Sequence, residues 1–112
     1  MIKTVNLKDV ANAEASVAIV DMEIEQAKQD GVSVLKFVHG YGSHGKGGVI
    51  LKATRDELLL LKRRGKIKNF FNGDKWNIFE SDVVRILNKD KTIVGDEDLN
   101  KNNPGITIVE IK

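Results

Sequence analysis

His39 closes an apolar run, Val34-Leu35-Lys36-Phe37-Val38, and opens a stretch with glycine at positions 40, 42, 45, 47 and 48. A histidine there can hydrogen-bond a phosphate or move a proton, because an unperturbed imidazole titrates near neutrality. It can equally pin the turn by bonding to backbone. Gly40 and Gly42 admit positive φ and close backbone approach, which lets an anion reach the N–H groups. A strand, a glycine-rich turn and a following helix together form the arrangement that collects an oxyanion. Lys46 adds an ammonium to that turn, whereas His44 reads as a solvated turn residue. Tyr41 either stacks on an unpaired base or folds back over the sheet.

Two phosphate-binding signatures can be laid on this loop, and neither holds. Gly40-Tyr41-Gly42-Ser43-His44-Gly45 satisfies G-x-G-x-x-G, but the acidic residue that holds a ribose should follow ~20 positions later at the end of a strand. Here that distance falls among Leu58 to Arg64, inside the next helix. Gly40 to Gly47 nearly matches G-x-x-x-x-G-K-[ST], yet Gly47 stands where a hydroxyl should meet Mg²⁺, and no later strand ends in Asp as the second metal anchor. Lys46 remains available to a phosphate as a point charge.

The elements that must position this loop follow from hydrophobic spacing. Thr4 to Leu7 reads as a first strand, buried on both sides. A helix opens near Asp9 or Asn12, with Ala13, Val17, Val20, Ile24 and Ala27 on one stripe and Asp30-Gly31 as its stop. Val32 to Val38 is β-branched and aromatic, and so a central strand. Val49 to Arg64 forms the second helix, buried through Ile50, Thr54, Leu58 and Leu61, with Lys52, Arg55 and Arg63 roughly opposite. Lys66 to Phe71 is a third strand, Asn72-Gly73 a hairpin-type turn, and Ser81 to Leu87 a short helix capped by Ser81 or Asp82. A polar stretch leads to the last strand, Ile106 to Ile111. Trp76, Phe70, Phe71 and Phe79 read as core or lid. Asp96-Glu97-Asp98 reads as a solvated acidic loop rather than a metal site.

The chain is 112 residues, 41% hydrophobic and 30% charged, which suits one domain over residues 1–112 and excludes wholesale disorder. It has no cysteine, hence no disulfide or thiolate site, and no apolar run of membrane-spanning length. Without a signal-peptide pattern at Met1 to Asn6, a cytoplasmic setting is expected and a membrane partner is not. Net charge is only +2 but uneven. Between Lys8 and Asp30, Lys8 and Lys28 face Asp9, Glu14, Asp21, Glu23, Glu25 and Asp30. Between Lys52 and Lys68, Lys52, Arg55, Lys62, Arg63, Arg64, Lys66 and Lys68 face only Asp56 and Glu57. Such a basic stretch points to a polyanion on one side of the molecule.

The ordered set of features resembles the small MutS-related (Smr) domain family. His39-Gly40-Tyr41-Gly42 matches its H-G-x-G signature, Thr4 to Lys8 sits at its first strand, and Gly105-Ile106-Thr107-Ile108-Val109-Glu110-Ile111 matches its closing G-[IV]-T-x-V-x-[LI] strand. The resemblance implies an α/β two-layer sandwich: a small mixed sheet in the order β-α-β-α-β-β with two main helices, similar to the C-terminal domain of translation initiation factor three. Residues from about 76 to 103 exceed that minimal domain as an elaboration. It also implies nucleic-acid binding and, in some members, cleavage of DNA or RNA. The family's first-strand L-D-x-H-G is replaced here by Val5-Asn6-Leu7-Lys8-Asp9, which removes its acid–base pair while leaving Lys8 as a cation beside the loop.

The expected activity is therefore binding of DNA or RNA through the sugar–phosphate backbone, using Lys8, His39, Gly40, Tyr41, Gly42, Lys46, Lys52, Arg55 and Arg63. No cofactor is expected. The alternatives are an endonuclease, with His39 as its catalytic residue aided by Asp9 or a divalent metal, and a protein-interaction module docking through Trp76 and residues 81–103.

Overall fold

The computed structural model describes residues 1–41 and 46–112, apart from the side chains of residues 46 and 47. Strands β1 (Ile2–Asn6), β2 (Val34–Val38), β3 (Asn69–Asn72) and β4 (Ile106–Glu110) form one sheet in the order β1-β2-β4-β3. β1 runs parallel to β2, while β4 is antiparallel to both β2 and β3. Helices α1 (Ala13–Asp30) and α2 (Lys46–Arg63) follow β1 and β2, and α3 (Ser81–Lys89) lies between β3 and β4 with 3-10 turns on either side, at Gly73–Lys75 and Lys91–Gly95.

Local chemistry explains the boundaries. Asn12 caps α1 by accepting the Ala15 N–H at 2.8 Å, and Gly31 ends it in the left-handed conformation at φ 71°. β2 is central and buried, as its continuous apolar character predicts. β1 is instead an edge strand and only partly buried, because nothing pairs with its outer side among the described residues. α3 forms where expected, but its N-cap is Glu80 and no side chain caps it. Asn72-Gly73 is not a hairpin turn: the partner of β3 is β4, with Asn72 opposite Thr107, and Gly73 starts a 3-10 turn.

The two-layer expectation is corrected by the second face of the sheet. On one face Val20, Ile24 and Ala27 of α1 and Ile50 and Leu58 of α2 pack with Leu35, Phe37 and Val109. On the other, Trp76, Val83, Ile86, Leu87, Ile93 and Leu99 bury Val34, Ile106 and Ile108. The 73–103 excursion is thus a third layer with its own core. Trp76 is fully buried, its indole N–H donating to Asp96 Oδ2 at 3.0 Å.

Charged residues fasten that layer. Lys36, only 2% exposed, projects from β2 and meets Asp96 Oδ1 at 2.7 Å and Asp98 Oδ2 at 2.6 Å. Burial works to lower the Lys36 ammonium, but the hydrogen bonds and charges of the two aspartates outweigh it and hold it above its ordinary value. Asp96 and Asp98 are therefore structural counter-ions and not a solvated acidic loop, for which an inward lysine in an apolar strand is the reason. Likewise Glu110, buried on the same face, accepts a two-pronged bond from Arg85 at 2.7 and 2.9 Å.

Candidate functional site

The register brings the ends of three strands and the entry to α2 to one edge. Asn6 lies opposite Val38, Ile106 opposite Val38 from the other side, and the Leu7 N–H donates to Val38 O at 2.8 Å. Lys8, Tyr41 and the residues around Gly105 therefore share the carboxyl end of β2, where open α/β sheets commonly receive ligands. Lys8 is exposed there, and its N–H is held by Asn6 Oδ1 at 2.8 Å. Asn6 thus serves the turn in which the resembling family has an acid.

His39 stands just inside this edge and is 1% exposed. Its Nδ1 is 2.6 Å from Gly40 O and its Nε2 is 2.8 Å from Thr107 Oγ1. A carbonyl only accepts, so Nδ1 carries the proton and Nε2 is the acceptor. The Thr107 hydroxyl then donates to Nε2, leaving its oxygen free to accept the Arg55 Nε–H at 3.2 Å. Every proton in the chain Arg55, Thr107, His39, Gly40 has one consistent place. Burial, followed by the Arg55 charge, holds the imidazole below its ordinary value despite the opposing Gly40 bond, so the ring is neutral at pH 7. His39 is consequently enclosed, with both ring nitrogens bonded to the turn and the closing strand.

The turn is shaped by two glycines. Gly40 has φ 74°, a conformation L side chains rarely adopt. A Cβ on Gly105 would lie 3.3 Å from Gly40 Cα and 3.4 Å from Tyr41 Cδ1. The His39 and Gly40 N–H groups both donate to Gly105 O at 3.0 Å, so Gly40 gives the loop its shape while its N–H is already used. Tyr41 lies beside Gly105 with 63% of its surface exposed, and so does not cover the sheet.

The cations divide. Arg55 does not point away from the core: it is half-buried, with Nη2 3.4 Å from Ile106 O, and burial lowers its guanidinium while the Asp74 carboxylate acts in the opposite sense. Lys52 is exposed and paired with Asp56 at 2.6 Å. Arg63 is exposed at the last position of α2, roughly 25 Å from the first by helical rise, and so at the far end from the loop. Gly42, His44 and the Lys46 side chain lie outside the described residues. Among the described residues no three His, Asp or Glu side chains cluster as a metal-binding group, and no helix is long and apolar enough to cross a membrane.

Thr107, Gly105 and Asp74 complete the site; Gly105 and Thr107 stand in the sequence only as members of the closing-strand signature, and Asp74 carries no signal there. The available signal was Thr107 itself: strand alternation places it on the face of Val109 and Ile111, where a polar group needs a partner.

No protein-family model and no curated protein matches the chain. Among solved structures it is similar to the Smr domain of Thermus thermophilus MutS2, with a TM-score of 0.60 and 20% identity over 98% of each chain. The chain therefore has an Smr-like fold, a small α/β domain with a four-stranded mixed sheet and three helices.

Proposed function

We propose that the protein binds nucleic acid along its sugar–phosphate backbone at the carboxyl edge of the sheet. The observation that carries this reading is Arg55. Its guanidinium is aimed by Thr107 and Ile106 at the end where His39, Gly40 and Tyr41 open the glycine loop. Lys8 at the same edge and Lys46 at the start of α2 extend the positive field, and Lys52 follows once Asp56 releases it. Backbone N–H groups beyond Gly40, Gly42 among them, supply neutral donors. His39 shapes the pocket, Tyr41 offers a stacking face, and Arg63 meets the strand only where it runs the length of α2. Because phosphates provide the grip, sequence preference is weak.

Binding is favoured over cleavage. Asn6 and Lys8 are turn residues rather than an acid–base pair, and His39 is shielded with both ring nitrogens engaged. The interaction-module reading required an exposed Trp76, and that indole is buried.

Fluorescence anisotropy with labelled single- and double-stranded DNA and RNA across a salt series tests the proposal. Affinity is expected to fall as salt rises, and Lys8→Ala and Lys46→Ala each to reduce the slope by about one. A flat salt response, or no loss on combining Lys46→Ala with Arg55→Ala in a folded protein, overturns it.

A further inference from the structure

Phe79 is 93% exposed, more than any other large hydrophobic side chain among the described residues, and Ile78 beside it is half exposed. This aromatic ring is not loosely tethered. The Phe79 N–H donates to Asn77 Oδ1 at 2.9 Å, the Ile78 N–H to Asn100 Oδ1 at 3.0 Å, and Asn77 Nδ2 to Asp74 O at 3.0 Å. The Asn100 N–H in turn donates to Trp76 O at 2.9 Å, tying the loop to the buried indole. The ring is held out on a braced support.

Below it lies an open groove of about 260 Å³ lined by Asp74, Asn77, Ile78, Phe79, Asn100 and Asn102. Its Asp74 side faces Arg55 and so approaches the edge that carries the glycine loop. Gly73 abuts the Asn103 backbone, Gly105 abuts Gly40 and Tyr41, and the Asp74 carboxylate acts on Arg55. The lining combines one aromatic face with amide and carboxylate groups, the chemistry that receives a planar heterocycle and its hydrogen-bonding edge. A protein partner would need about 20–30 residues a side, far more than this groove offers.

We infer that Phe79 is a stacking platform for an unpaired base of a single strand whose phosphates are held at the glycine loop. The inference rests on the backbone-binding reading and adds to it: single strands are preferred, and the 73–103 excursion takes part in binding.

The test uses the full chain and short oligo(rA) and oligo(dA) strands carrying 2-aminopurine, beside the matching duplexes. Phe79→Ala is expected to weaken single-strand binding by about 5- to 100-fold and to leave duplex binding unchanged. Phe79→Trp is expected to retain the affinity, and 2-aminopurine fluorescence to be quenched on the wild type but not on Phe79→Ala. Since the side chain is outside the core, circular dichroism should show both variants folded. Equal loss in both arms supports a contact to the base alone, and loss confined to oligo(rA) one that also uses the 2′-hydroxyl. Unchanged single-strand affinity in Phe79→Ala, with salt-dependent binding intact, overturns the stacking role and spares the backbone reading. No salt-dependent binding to any strand overturns both.

Discussion

Thr107 Oγ1 stands 2.8 Å from His39 Nε2, and this contact joins the closing strand to the start of the glycine loop. Its hydroxyl both donates to the imidazole and accepts from Arg55. Thr107→Val keeps the shape but leaves a buried ring nitrogen and a guanidinium N–H without partners. It is expected to cost about 1–3 kcal/mol in chemical denaturation and to weaken polyanion binding, whereas Thr107→Ser restores both. In the wild type, an NMR titration of His39 should show a midpoint below 6.5. A midpoint at or above that value contradicts the proton assignment.

Glu57 of α2 meets Asp21 of α1, and its carboxyl is pushed up to about 7, chiefly by the hydrogen bond with Asp21, then by burial and the Asp21 charge. Asp21 Oδ1 is buried with no hydrogen-bond partner among the described residues, so a second full charge on Glu57 beside it is disfavoured. A carboxyl raised on folding stabilises below its unfolded value of 4.5 and loses that contribution as pH rises through about 7. Glu57→Gln is expected to melt several degrees higher than wild type at pH 8 and no higher at pH 4.5, read by thermal denaturation across pH.

Lys36 between Asp96 and Asp98 gives a third outcome. Lys36→Met alone strands two shielded carboxylates and is expected to cost about 3–5 kcal/mol, read by urea unfolding. Adding Asp96→Asn and Asp98→Asn should recover most of that loss, since Asn can still accept from the Trp76 indole.

Asp74 opposes the proposed ligand's charge near Arg55. Asp74→Asn is expected to tighten single-strand binding by about 2- to 5-fold at low salt, the scale of one partly solvated charge pair, and by less at high salt.

Hydrophobic patterning reveals the elements because α1 and α2 each bury a regular stripe and β2 is buried on both faces, and the glycines at 31 and 40 take the left-handed conformations that residue type suggests. The alternating closing strand likewise announces β4. What remains hidden depends on contacts far apart in the chain. Nothing local shows that Lys36 reaches Asp96, that Arg55 turns inward to Thr107, or that Phe79 stays outside while Trp76 goes in. The hairpin expected at Asn72-Gly73 fails for the same reason, as its local turn chemistry is overridden by pairing of β3 with a strand more than thirty residues later. Arg63 shares a helical face with Lys52, but helix length separates it from the loop.

The 73–103 layer leaves and rejoins the sheet through one narrow gate. A Cβ on Gly73 would fall 1.6 Å from Asn103 O, so the two ends of the segment touch. The segment cannot simply be cut away, because Val34, Ile106 and Ile108 would be left bare to water. The segment is thus a closed excursion whose abutting ends leave the sheet's strand alignment undisturbed while its apolar side seals one face.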